Sequence, residues 1–272
     1  TGDLAGAQRL LERAIDVLGA SHPDLGGLLL ELGVIHALAG DPAAAYARTE
    51  QARAAIEAAR GPDHPQVADA LYNLALIRAD VADHARAVAD LERTRDIYAA
   101  THGPDHPAVA ETWARIGASE HARGAYAAAL AAFQRARDIA ARPPGAAPEV
   151  LALALAGLGQ AELELRGPSA ARPTLERALA LGDALATDPV VRGAAQFALA
   201  RALASADPHD PRVGELVLAA RDSFVAAAPT PRTQLAALAP WLARRRRTDG
   251  SVAARRSSVD ERAVATASGA EP

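Results

Sequence analysis

The apolar positions of this chain follow a helical rhythm. In the stretch from about Gln66 to Asp80, Leu71, Leu74 and Ala75 are spaced so that they share one helix face. A second amphipathic stretch runs from about Asp83 to Ala100 and carries Ala87 and Leu91. The same alternation returns downstream, with Trp113, Ile116 and Gly117 on a first helix and Ala129 and Phe133 on a second. Small residues stand where paired helices must approach, Ala75 with Ala87 and Gly117 with Ala129. Larger ones fill the space around them, which is how facing helices interdigitate.

The breaks between these pairs are periodic as well. The segment GPDHP occupies 61–65 and again 103–107, and SHPD stands at 21–24, so His22, His64 and His106 lie 42 residues apart. A fixed interval of that size predicts stacked helical repeats. Each residue of the break has a mechanical reading. Gly ends a helix in a left-handed C-cap, and Pro stops it continuing. Asp-His caps the next helix, and the second Pro occupies its first position, where a missing N–H costs nothing. A metal-binding ladder of these His residues is the chemical alternative. Neighbouring helices pack about 8–10 Å apart, while zinc needs nitrogens about 2.0–2.1 Å from one ion, so equivalent His residues in successive repeats do not share a metal.

On these residues the chain resembles the tetratricopeptide repeats. The unit with Trp113, Ile116, Gly117, Gly124, Tyr126, Ala129, Phe133 and Ala136 fits best. The unit at Leu71 keeps Leu74, Ala75, Ala87 and Leu91 but has Thr94 in place of a small Ala. The unit at Leu29 keeps Leu32, Gly33, Gly40, Ala45 and Ala52, with Thr49 at the bulky position. The 42-residue interval and HPQVADALYNLA (64–75) are similar to the kinesin-light-chain type. Two degenerate units follow, one with Leu155, Leu158, Gly159, Ala171, Leu175 and Ala178, the other with Leu199, Ala200, Leu216 and Ala219. Residues 2–18 read as the second helix of a truncated unit. The resemblance implies an all-α, right-handed α-solenoid of about five helix pairs over 1–228.

Residues 229–247 read as one more amphipathic helix, broken or bent at Pro240, with Leu235, Leu238, Trp241 and Leu242 as its apolar stripe. It would cap the solenoid. Arg244 to Arg247 then suit a helix C-terminus, and 248–272 has the composition of a disordered tail. Within that tail, Arg255 and Arg256 before Ser257 and Ser258 make the two serines candidate phosphorylation sites. Repeats of this style followed by 197–227 and a short 235–245 cap resemble the C-terminal regions of myxobacterial-type serine/threonine protein kinases. The opening without Met, already in helical pattern, fits a piece of such a larger protein.

Composition narrows the chemistry. There are no cysteines, which excludes disulfides and thiolate chemistry. Every Lys or Arg position is Arg, so P-loop and Schiff-base lysines are excluded. A net charge of −4 supplies no basic field for nucleic acid. No apolar run is long enough to span a bilayer, and the chain reads as cytoplasmic, without membrane partners. Nucleotide, zincin and kinase motifs are all missing. GLGQAE (157–162) lacks the third Gly of a nucleotide loop and falls mid-helix, and DPHDP (207–211) reads as a turn and cap. The expectation is therefore a non-enzyme without cofactor or metal.

What remains is a module that binds a protein or peptide in the concave face lined by the first helix of each unit. Helical spacing aims Glu31 and Val34 there, then Asp69, Tyr72, Asn73 and Leu76, then Glu111, Arg115 and Ala118. The resemblance to kinesin-light-chain repeats implies that Asn73 holds a peptide backbone. Glu31 and Arg115 interrupt any ladder of such residues. The alternatives are the repeat region of a non-kinase signalling or transcriptional regulator, or a stand-alone adaptor.

Overall fold

A computed structural model describes residues 3–19, 22–143, 146–227 and 234–243. Every regular element among them is helical. In chain order these are α1 Leu4–Leu18, α2 Leu25–Leu38, α3 Pro42–Arg60, α4 Pro65–Asp80, α5 His84–His102, α6 Pro107–Ala122, α7 Tyr126–Ala140, α8 Pro148–Arg166, α9 Pro168–Leu185, α10 Pro189–Ala206 and α11 Pro211–Ala226. A twelfth, α12, covers 234–243. The chain forms two units, Thr1–Thr187 and Asp188–Pro272. The tail 248–272, Arg244–Arg247, Ser257 and Ser258 lie outside the described residues.

In the first unit the helices pack in consecutive pairs, α2 with α3, α4 with α5, α6 with α7 and α8 with α9, and each pair stacks on the next. This is the all-α repeat solenoid expected. Its rhythm is set by small residues. Ala45, Ala87, Ala129 and Ala171, each 42 residues from the next, are all fully buried. On the other side of the interface Phe133 is wedged between two glycines. A Cβ would come within 2.9 Å of its ring at Gly117 and within 2.2 Å at Gly157. Gly157, the start of GLGQAE, is thus a packing contact within α8. Thr49 and Thr94, the two departures from the repeat pattern, are fully buried. Their hydroxyls donate to the carbonyls of Ala45 at 2.8 Å and Asp90 at 2.9 Å, which offsets the cost of burying them.

The GPDHP breaks work largely as read. His64 and His106 are N-caps with extended backbone, each followed by Pro at the first helical position. Their Nδ1 atoms accept from the backbone N–H of Gln66 and Ala108, both at 3.2 Å. His22 makes the same bond to Asp24 N–H at 3.2 Å, but its helix begins only at Leu25. Gly61 and Gly103 have the expected positive φ, 90° and 94°, with ψ of 163° and 153°. That is the extended region open essentially to glycine alone, and the left-handed helical well was the expectation. Between the two helices of a pair the turn also needs positive φ. Gly40 and Gly124 supply it, while Ala82, midway between them in the 42-residue register, is held at φ 63°.

In the second unit α10 pairs with α11. Asp207 accepts from His209 N–H at 2.9 Å, and Asp210 caps α11 through Arg212 N–H at 2.9 Å. DPHDP is therefore a turn and a cap. Leu238 of α12 is fully buried, and the Trp241 ring meets Phe197 edge-on at 5.8 Å. The helix does not break at Pro240, which is exposed, as is Ala236 one turn back. The carbonyl that Pro240 leaves without a helical donor can therefore be hydrated.

Candidate binding groove

The first helices α2, α4 and α6 carry the residues that the spacing singled out. Tyr72 of α4 sits at the centre. Its hydroxyl donates to Glu111 Oε1 of α6 at 2.6 Å and accepts from Arg115 Nε at 3.0 Å. Arg115 closes the triangle with an ion pair to Glu111 at 3.5 Å. One turn earlier on α4, Asp69 accepts from the Tyr98 hydroxyl of α5 at 2.6 Å. Two sets of charge-assisted hydrogen bonds thus tie α4, one to the first helix α6 and one to the second helix α5.

The electrostatics follow from this geometry. Burial pushes the Tyr72 hydroxyl up to about 12; Arg115 opposes the shift and Glu111 adds to it. Tyr98 is raised by burial first and then by its bond to Asp69. Burial alone would lower Arg115, but Tyr72 and Glu111 raise it on balance. At the end of α4 the Asp80 carboxyl is raised by burial, with Arg115 acting against it. With its pKa pushed up to about 12, the Tyr72 hydroxyl stays protonated near neutral pH and remains a donor to Glu111.

Asp69, Tyr72, Glu111 and Arg115 are brought together. Asn73 and Leu76 lie beside them on α4, both half-buried. The Asn73 amide makes no hydrogen bond among the described residues. Glu31 and Val34 on α2 and Ala118 on α6 are exposed and take no part. The Tyr72 hydroxyl is engaged by Glu111 and Arg115, so what it offers a ligand is its ring. Tyr98 was missed. It lies on a second helix and looks like a core aromatic; the available signal was a hydroxyl 42 residues from the fully buried Ile56 and from Ala140. Among the described residues no three His, Asp or Glu side chains gather to hold a metal ion, and no helix is long and apolar enough to cross a membrane.

Residues 24–98 and 67–142 match the family model for the tetratricopeptide repeat, so the chain carries tetratricopeptide repeats there. No curated protein sequence matches it significantly. Among solved structures it is similar to BtubC (BKLC) from P. vanneervenii, at 22% identity and TM-score 0.61, over 68% of this chain and 75% of that one. A putative kinesin light chain from Podosopora anserina with nearly identical TPR-like repeats aligns at 23% identity and TM-score 0.56, over 74% of this chain and 96% of its own. A Rap protein complexed with Competence and Sporulation Factor aligns at 14% identity and TM-score 0.60, over 82% and 65%. At such identities the likeness is one of fold.

Proposed function

We propose that the chain is a protein-interaction module whose first-helix groove holds an extended peptide segment of a partner. The observation that carries this reading is the contrast between Asn73 and its neighbours. Tyr72, Glu111 and Arg115 satisfy one another and brace α4 against α6, while the amide beside them is left with both a donor and an acceptor to offer. An amide on a rigid wall suits the alternating N–H and C=O groups of an extended backbone. Leu76, one turn on, provides apolar surface next to it. The acids Asp69 and Glu111 leave no basic cluster in this groove for a terminal carboxylate.

The test is a partner captured from the source organism and titrated by calorimetry. Asn73→Ala should weaken binding by about 1–3 kcal/mol with Tm unchanged. An affinity indifferent to Asn73→Ala but lost on changes to the second helices would sink the groove reading. As a further part of this proposal, the module recruits or regulates for a larger bacterial serine/threonine protein kinase. The support is the resemblance of the repeats, of 197–227 and of the 235–245 cap to such C-terminal regions. Coding sequence upstream of Thr1 decides between that parent and a non-kinase regulator.

A further inference from the structure

On α3 the Glu57 carboxylate receives Arg53 of its own helix at 2.7 Å and Arg93 of α5 at 3.0 Å. A step of 42 residues carries Glu57 to Ala99, Arg53 to Arg95 and Arg93 to Arg135. Both arginines recur in the later repeat, but the carboxylate does not. Arg95, Ala99 and Arg135 line a cavity of about 460 Å³ bounded by α5, α6 and α7, with Val109, Trp113 and Ile139 as its apolar wall. The Arg95 guanidinium lies over the Trp113 ring, 4.7 Å from its centroid. Outside the cavity Arg95 also meets its neighbour Asp96 at 2.7 Å. Arg135 is exposed and has no ion-pair partner among the described residues. The two acids on the rim are already neutralised, Asp105 by Arg142 at 2.5 Å and Asp138 by Arg137 at 2.6 Å.

We propose that this cavity binds a glutamate side chain of a partner peptide. Its carboxylate goes between Arg95 and Arg135, as Glu57 goes between Arg53 and Arg93 one repeat earlier, and an adjoining apolar side chain lies against Trp113. Paired guanidinium groups beside an apolar wall match a carboxylate carried on a hydrocarbon stem. The rim carboxylates of Asp105 and Asp138 can accept backbone N–H groups, which a peptide supplies and a free acid does not. None of the groove residues on α4 lines the cavity, so this site does not rest on the groove reading.

Trp113 reports on the site directly. The chain has two tryptophans, and Trp241→Phe leaves Trp113 as the only indole. In that background, acetyl-Leu-Glu-Leu-amide should change the Trp113 fluorescence saturably. Acetyl-Leu-Gln-Leu-amide should bind about tenfold or more weakly, as expected for loss of a charge-assisted contact. Arg135→Gln should weaken the Glu peptide to the same degree, while Asn73→Ala leaves it unchanged. Ala99→Glu restores the internal carboxylate, so it should abolish peptide binding and raise Tm. Equal binding of the two peptides, or indifference to both Arg135→Gln and Ala99→Glu, would overturn the proposal. So would an equal response to sodium butyrate at the same concentration, since a free acid would then suffice.

Discussion

The seam between α3 and α5 and the seam between α5 and α7 are built on one repeat and neutralise their arginines differently. In the earlier seam Glu57 sits inside a clamp of two guanidinium groups. In the later seam Ala99 faces the same two groups across open space lined by Trp113. One set of small positions does not drift in this way. Ala45, Ala87, Ala129 and Ala171 remain buried alanines throughout. The lesson is physical. A buried alanine is held in place by a helix contact that every repeat reproduces. An ion pair between repeats needs two residues on different helices to change together, and losing one of them costs little at a half-exposed site.

The harshest test of the apolar half is Phe133→Ala. Phe133 fills space against both Gly117 and Gly157, so its loss should cost about 3–5 kcal/mol in urea unfolding. A cost below that of Leu91→Ala, its equivalent one repeat earlier, would break the claim that the wedge is specific to this repeat. The polar half is next. Tyr72→Phe removes two hydrogen bonds between α4 and α6 and should cost about 1–2 kcal/mol at neutral pH. It also has a pH signature. Folded Tyr72 titrates at about 12 against an ordinary 10.0. Between those values the unfolded chain gives up a proton that the folded chain keeps, so the stabilisation is complete below pH 10 and drains away toward pH 12. In Tyr72→Phe that loss should be shallower, with Tyr98 supplying the remainder.

Glu57→Ala converts the earlier seam into the later one and should cost about 1 kcal/mol by thermal melting. Arg53 keeps Glu50 at 2.8 Å as a second partner, so a much larger loss would show that the clamp is worth more than a surface network. The smallest effect concerns the turn. Ala82 is held at φ 63° where Gly40 and Gly124 stand in the neighbouring repeats, and Ala82→Gly should raise stability by about 0.5–1 kcal/mol. A lower Tm for Ala82→Gly would mean that the alanine methyl is a contact, and its backbone position no strain.

Much of this was legible in the sequence, and for identifiable reasons. The 42-residue spacing of His22, His64 and His106 and the small residues at Ala87 and Ala129 report local rules of capping and close packing, which depend on a few neighbours in the chain. The cluster of Asp69, Tyr72, Glu111 and Arg115 was legible as a set, because helical spacing aims these side chains to one side. Which of them would be consumed by the others was not legible, since the bonds join residues 39 to 43 positions apart. Tyr98 and the Glu57 clamp were hidden for the same reason. They emerge only when one repeat is laid over the next and a polar residue is found without its counterpart. At Pro240 the sequence leaves a break or a bend as alternatives, and helix continues through 234–243 without a break; the ring's clash with the preceding turn favours bending there.

The glycines of the breaks set the unit in which this molecule can change length. Gly61 and Gly103 share one backbone conformation and begin the same five residues, so the chain can be cut and rejoined there without disturbing either flank. Excision of residues 62–103 would remove α4 and α5 and deliver α3 directly onto α6. Glu57 would then take the place of Ala99, and its carboxylate would meet Arg135. A shortened protein of this kind would close its own cavity, whereas an excision that removed part of a helix would leave that helix without its full apolar face. Growth and loss in this fold therefore come in whole steps, and each step reshuffles which charges face each other while leaving the buried alanines in register.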